Sequence, residues 1–319
     1  MGSDHEVVIA GGGIAGLTAG TVSARLGRKT LILIGDMLGG NLLSIEKIEG
    51  YPGFPDGIAG YELCPTVQAQ AAEAGAEFSM TALDALDPAP DGWRISSAGQ
   101  DHAAGAVILA TGTSLMELGV PGESRLVGKG VSHCASCDAP LLRDRMVAVV
   151  GGGDSAFQEA LTLAEFASKV VILVRGKAFS AQATFRDRVV VHPRIDIRTN
   201  VSVEEILGDD TVAGVRFRDA ASGTSDELEA AGVFIYIGLR PNTAFLNGRA
   251  DVISASGIRT DGRMRSMLTG VFAAGTVRSG SAGRAVASAG DGTAAAISAD
   301  DFLTHGTWRD GELEYHGHR

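Results

Sequence analysis

Short unbroken apolar runs recur along the 319-residue chain, and each ends at a glycine or just before one: Val7–Ala10, Val107–Ala110, Val147–Val150, VFIYI before Gly238 and VFAA before Gly275. Runs of this length with β-branched content, closed by turn residues, predict strands buried on both faces, as in parallel sheets. Two of them open a repeat. Residues 7–34 (VVIAGGGIAGLTAGTVSARLGRKTLILI) align without a gap with residues 147–174 (VAVVGGGDSAFQEALTLAEFASKVVILV), and eight of the 28 positions are identical. Each copy reads as strand, glycine-rich turn, helix and second strand, which is a βαβ unit.

The turns carry a ligand signature. In the first copy Gly11-x-Gly13-x-x-Gly16 lets the strand turn sharply and presents a helix N-terminus to the negative charge of a pyrophosphate. In the second, Gly151-x-Gly153-x-x-Ala156 repeats the pattern with Ala at the packing position. One such motif is weak evidence, but two in register inside full βαβ frames predict two dinucleotide sites. A Rossmann unit usually places an acidic residue about 20 positions on, at the ribose; Asp36 is the nearest candidate in the first copy. In the second, Arg175 and Lys177 put positive charge where a 2′-phosphate would need it, which favours NADPH over NADH. The competing reading of the pair is solvated loop charge.

The strand LTGVFAAGT near the C-terminus must pair with something, and glycine and proline punctuate the chain at Gly119-Val-Pro121-Gly122 and Gly238-Leu-Arg-Pro241. The expected fold is therefore α/β with two Rossmann-like dinucleotide-binding domains, the second inserted into the first. Residues 1–119 and 242–319 form the discontinuous domain and residues 120–241 the insert. The tail from Trp308, WRDGELEYHGHR, reads as polar and mobile.

Composition narrows the class. Glycine numbers 44, about 14% of residues against a usual ~7%, in keeping with many tight turns. The net charge of −11 repels a phosphate backbone, so nucleic acid is an unexpected partner. No apolar run approaches the ~20 residues of a membrane span, and the opening MGSDHEVVIAGGG lacks a signal-peptide pattern, so a cytoplasmic location is expected.

Three cysteines are too few for a disulfide framework, yet two stand as Cys134-Ala-Ser-Cys137. Two residues between thiols allow a disulfide across a tight turn, and a nearby helix N-terminus lowers a thiol pKa, so the pair can cycle between dithiol and disulfide. Half of a four-cysteine zinc site is disfavoured because no second CxxC exists, and no metal is expected. Asp138, next to the second thiol, could move protons or simply cap a helix. His133 reads as a spectator and Cys64 as a small core residue in a helix.

Together these residues resemble a low-molecular-weight thioredoxin reductase, an FAD-dependent pyridine nucleotide-disulfide oxidoreductase, over nearly the whole chain. The resemblance rests on GGGIAG at 11–16, GGNL at 39–42 followed by YPGFPDGIAGYEL, Ala110-Thr-Gly112, CASCDA at 134–139 with GGGDSA at 151–156, and VFIYIGLRPNT followed by VFAAG. It implies FAD on Gly11, Gly13, Ile14, Ala15 and Gly16, with Asp36, Gly40, Asn41, Leu42, Thr111, Gly112, Gly275, Thr276, Arg284 and Ala285. It implies NADPH on Gly151, Gly153, Asp154, Ser155, Arg175 and Lys177. It further implies that Cys137 faces the flavin, that Cys134 attacks the disulfide of a thioredoxin-like protein or small disulfide, that Asp138 is the acid, and that the chain is a homodimer.

The chain departs from that family in specific places. Gly275-Thr276 stands where Gly-Asp usually holds the ribityl chain, and Ala282-Gly283-Arg284-Ala285 where Tyr-Arg-Gln-Ala is usual. Val174-Arg175-Gly176 and Ser180 replace the His-Arg-Arg and downstream Arg that grip a 2′-phosphate, so one arginine of the cluster survives. Asn41 replaces Gln, and Gly50 replaces Asn. Three functions are therefore open. The first is an NADPH-fed disulfide reductase whose inserted domain, carrying both dithiol and nicotinamide site, swings on its linkers. The second is a related flavoenzyme reduced by a ferredoxin-type protein or passing dithiol electrons to oxygen. The third is a flavin-bound redox sensor.

Overall fold

A computed structural model describes residues 5–249 and 251–308. The chain divides into two compact units, Met1–Ser114 with Arg240–Arg319, and Leu115–Leu239. Each is an α/β unit built on a parallel sheet, so the fold holds two Rossmann-like units.

In the first unit the sheet runs Val271–Ala273, Ala106–Leu109, Val7–Ala10, Thr30–Leu33, Glu77–Ser79, with every neighbouring pair parallel. The three central strands are buried along their full length, which is why they appear in sequence as continuous apolar runs. The helix Ile14–Arg25 crosses back over this sheet, and the C-terminal helix Ala285–His305 packs against it. The close approach depends on missing side chains. A Cβ on Gly292 would lie 2.2 Å from the carbonyl oxygen of Ala15, and one on Gly20 would lie 2.2 Å from Ile32 Cδ1. The opposite face is covered by an antiparallel sheet of Ala85–Ala89, Gly92–Ser97 and Gln100–Ala104, where Trp93 and Ile95 join Val8, Leu31 and Val107 in a second core.

The second unit repeats the plan. Its parallel sheet runs Ile195–Thr199, Lys169–Val174, Met146–Val150, Gly232–Ile235, Val131–Ser132. The helices Asp154–Ala164 and Ala183–Val190 cover one face through Phe157, Ala160, Leu163 and Phe185. An antiparallel sheet of Val201–Leu207, Gly214–Asp219 and Ser225–Glu229 covers the other through Ile206, Val215 and Phe217.

The chain crosses between units at Ser114–Leu115 and at Leu239–Arg240, five and two residues before the boundaries suggested by Gly119 and Pro241 (119 − 114 and 241 − 239). The physical reason lies in what residues 115–119 bind. Leu118 packs into the second unit's core, and the backbone N–H groups of Leu118 and Gly119 donate to the carboxylate of Glu123 at 2.9 and 2.7 Å. Glu123 is 3% exposed.

Most of the polar tail, residues 309–319, lies outside the described residues. Its first residue does not behave as mobile tail: the Trp308 ring meets those of Phe272 and Phe302 edge-on at 5.2 and 5.4 Å. Among the described residues no helix is long and apolar enough to cross a membrane.

Candidate active site

The first unit gathers its site at the carboxyl ends of three neighbouring parallel strands, where open α/β sheets bind ligands. After Val7–Ala10 the chain turns at Gly11, whose φ of +123° and 2.1 Å clearance to Ala110 O exclude a side chain. It then enters Ile14–Arg25 through Gly13, which makes no side-chain cap and has open space where a Cβ would be. The first N–H groups of this twelve-residue helix are left for a ligand. That is the cradle a pyrophosphate requires, so the residues present fit FAD at this point.

Several of the remaining first-unit candidates are tied to one another near the Gly11 turn. Gly40–Leu42 forms a 3₁₀ turn, tied back by a backbone bond from Gly39 to Gly12 O at 2.8 Å. Asn41 Nδ2 donates to the carbonyl and hydroxyl of Thr113 at 2.8 and 3.2 Å, and the Thr113 hydroxyl lies 3.3 Å from that of Thr276. Thr111 and Gly112 follow the Ala106–Leu109 strand, and the Thr111 hydroxyl donates to Asn242 O at 2.8 Å. Gly275 donates its N–H to Asp291 at 3.1 Å, and the same carboxylate holds Arg278 at 3.0 and 3.2 Å. Ala285 begins the last helix, with Arg284 exposed as its N-cap. Asp36 is exposed in the loop after Thr30–Leu33.

In the second unit Gly151 has a φ of +143° and stands 2.2 Å, as a Cβ, from Tyr236 O. Gly153 precedes Asp154–Ala164, again without a side-chain cap and with nothing closer than Ser180 Oγ at 3.8 Å. Asp154 would repel a phosphate at this end, but its carboxylate is turned to the next loop. It accepts from the backbone N–H of Gln182 at 2.7 Å and from Gln182 Nε2 at 2.9 Å. Ser155, Arg175 and Lys177 are exposed at the same end of the sheet, so this turn fits a second dinucleotide.

The dithiol lies on the same unit. Cys134 and Cys137 are joined as a disulfide with Cα atoms 5.3 Å apart, spanning the one-turn helix Ala135–Asp138. Cys134 caps that turn: its Sγ accepts from the Cys137 N–H at 3.3 Å. Ser132 steadies the approach, its Oγ accepting from the Cys134 N–H at 3.0 Å. His133 donates from Nδ1 to Ile235 O at 3.0 Å, a tautomer fixed because a carbonyl only accepts. Cys137 is exposed and Asp138 half-buried. The free thiol, Cys64, sits fully buried in the helix Gly60–Glu73, and burial pushes its pKa up to about 11.

Several residues at these sites carried no signal in the sequence. Thr113, Asn242 and Asp291 owe their placement to hydrogen-bond partners elsewhere in the chain, and Tyr236 owes its own to packing against the second unit's core. Asn242 and Tyr236 both stand inside the quoted VFIYIGLRPNT stretch, but neither carried a site reading there.

Comparison with known proteins finds relatives over nearly the whole chain. A model of the family described as pyridine nucleotide-disulphide oxidoreductase matches residues 5–292. The chain is 38% identical over 300 residues to a thioredoxin reductase of Mycolicibacterium smegmatis, covering 94% of this chain and 96% of that one. It is also 38% identical over 301 residues to a bifunctional thioredoxin reductase/thioredoxin of Mycobacterium leprae, covering 94% of this chain and 66% of that one. Among solved structures, thioredoxin reductase of Lactococcus lactis superposes with a TM-score of 0.91 at 33% identity, covering 94% of this chain and 99% of that one.

Proposed function

The chain belongs to the pyridine nucleotide-disulphide oxidoreductase family as a thioredoxin reductase-like flavoprotein disulfide reductase, and from that premise we propose that it draws on NADPH to reduce a thioredoxin-like protein. One observation carries the reading: a Cys134–Cys137 disulfide and an uncapped glycine turn share one unit, while a second such turn sits on the other. The fusion named in the Mycobacterium leprae relative joins a thioredoxin to such a reductase, which supports the choice of partner. The first unit is the FAD domain, the insert is the NADPH domain, and the working form is a cytoplasmic homodimer. When bound, NADPH supplies a hydride and FAD stores its electron pair for the disulfide.

The protein's own residues then do the following. Opening the disulfide takes two electrons and one proton and leaves one thiol and one thiolate. The Cys137 N–H, already directed at Cys134 Sγ, favours the thiolate at Cys134. Cys134 attacks the partner disulfide to form a mixed disulfide, and Cys137 resolves it, reforming the internal bond as the partner's second thiol leaves. Asp138, adjacent to Cys137, gives and takes the proton. Dithiol and nicotinamide site share the insert and serve one flavin, so the insert reorients on its two crossing segments during turnover.

A second reading follows from the loop after Lys169–Val174. Gly176 has no side chain, and the Ser180 hydroxyl turns back to Gly152 O at 3.5 Å, leaving Arg175 and Lys177 as the positive charges. A weak NADPH grip would fit a ferredoxin-type donor or a dithiol oxidase using oxygen. Steady-state assays separate the readings: NADPH-dependent thioredoxin reduction supports the first. Oxygen uptake with a dithiol substrate, and no reduction by NADPH, supports the second.

A further inference from the structure

Tyr236 follows directly on the strand Gly232–Ile235, and its hydroxyl is shielded from solvent without a hydrogen-bond partner. Native structures keep few such groups, because a buried hydroxyl loses its water and gains nothing in return. The residue has little freedom to move away. Its N–H donates to Val150 O at 2.8 Å, and its carbonyl lies against the Gly151 turn. The ring packs against the core cluster that includes Ala135 and Ala139, at either end of the dithiol turn, where a phenylalanine would pack as well. The phenol oxygen lies beside the Ala135 backbone without a well-formed bond to it, and Ala135 begins the one-turn helix that Asp138 ends; Glu159 and Asp138 are near enough to act on the phenol electrostatically. His133, the other titratable group nearby, is anchored on Ile235 O. Burial first, and Glu159 and Asp138 after it, hold the phenol well above its usual pKa, so at working pH it only donates.

The two carboxylates differ in one respect. Glu159 sits on the eleven-residue helix Asp154–Ala164, whereas Asp138 ends the one-turn helix that the disulfide closes. Only the second belongs to the turn that the sulfur–sulfur bond closes. We propose that Tyr236 is a positioning residue of the dithiol, whose hydroxyl donates to the Asp138 carboxylate once the Cys134–Cys137 bond is open. It thereby holds that carboxyl beside the cysteine sulfurs. Tyr236 keeps its own proton throughout; the proton consumed in opening the disulfide passes by way of Asp138. The proposal rests on the reading of Asp138 as the acid given above.

The test compares Tyr236→Phe and Asp138→Asn with the parent holoenzyme. Three quantities are measured: the melting temperature of the oxidised form, the rate of flavin reduction by NADPH, and the pH profile of disulfide reduction. Tyr236→Phe is expected to melt no lower than the parent, because it deletes an unsatisfied buried hydroxyl. Flavin reduction stays unchanged, and disulfide reduction slows about tenfold. The limb of the profile that Asp138→Asn abolishes moves up by about one pH unit, as expected when a charge-assisted donor to a carboxylate is removed. An unshifted limb in Tyr236→Phe, with Asp138→Asn still abolishing it, overturns the role of Tyr236 alone. A limb that survives Asp138→Asn overturns the acid assignment and this proposal with it. A lowered melting temperature with unchanged rates makes Tyr236 purely structural and overturns the proposal. Should Tyr236→Phe fail to fold, ring-labelled Tyr236 in the unaltered holoenzyme gives an independent answer by NMR. Its phenol carbon should shift on dithiol formation, and no shift contradicts the proposal.

Discussion

The backbone N–H of Cys137 donates to the Sγ of Cys134 at 3.3 Å, so the sulfur nearer the N-terminus already has a donor waiting for negative charge. Backbone donation stabilises a thiolate over a thiol. In the reduced enzyme, iodoacetamide near neutral pH should therefore modify Cys134 faster than Cys137, as peptide mapping will show. Replacing either cysteine with serine should lower protein-disulfide reduction by about a thousandfold or more while leaving the flavin bound. Equal labelling of the two sulfurs would remove the asymmetry on which the attack order rests.

The proposed NADPH site has few positive charges. Arg175 and Lys177 are exposed after the buried strand Lys169–Val174. A charge-assisted contact to a 2′-phosphate is worth about 1.5–3 kcal/mol, or roughly ten- to a hundredfold in affinity. Arg175→Ala should raise KM for NADPH by that factor and leave KM for NADH unchanged. An equal rise for both coenzymes would place Arg175 outside the phosphate's reach.

Gly292 marks the point where the last helix meets the first. Its added Cβ would stand 2.2 Å from Ala15 O, and that contact is with backbone, which cannot swing aside. Gly292→Ala should destabilise the first unit by about 1–3 kcal/mol through overpacking. It should also loosen flavin binding, since Ala15 lies in the first turn of the helix proposed above to meet the pyrophosphate. Thermal melting and released flavin fluorescence read both effects, and unchanged values would contradict the packing described.

Cys64 gives the fold a pH dependence. Burial holds its thiol at about 11 against a reference of 9.0, so the folded state disfavours the thiolate. The sign follows from proton counting. Below about pH 9 both states are protonated and the contribution is complete; between about 9 and 11 only the unfolded chain ionises, so stability falls as pH rises. The loss amounts to about 2–3 kcal/mol across that window. Denaturant titrations of the parent and of Cys64→Ala should converge as pH climbs from 8 to 11, and parallel curves would contradict this.

Much of the architecture was legible because both Rossmann-like units announce themselves locally. A strand buried on two faces must be apolar throughout, and a strand that turns beneath a helix needs Gly11 or Gly151, so the two signals fall side by side in the sequence. The dithiol was legible for the same reason, its two cysteines lying three residues apart. The antiparallel sheets at 85–104 and 201–229 left no comparable pattern, since their strands are half-exposed and mix charge with apolar residues. Glu123, Asp291 and Tyr236 were illegible on another ground. A lone Glu or Asp reads as surface until the fold places it, respectively, against the Leu118–Gly119 backbone and the Gly275 turn, and Tyr236 reads as one more residue of a buried apolar run until its hydroxyl is found unpartnered.

In the proposed function, electrons entering through a nicotinamide reach the sulfurs of Cys134 and Cys137. The most direct test is an anaerobic titration of the FAD-loaded enzyme with NADPH, following flavin absorbance while counting free thiols after rapid acid quench. The flavin should bleach at micromolar NADPH with two additional thiols per chain, and that gain in thiols should be lost in Cys137→Ser. A flavin that stays oxidised in millimolar NADPH, or bleaches without new thiols in the parent enzyme, would contradict the proposed function.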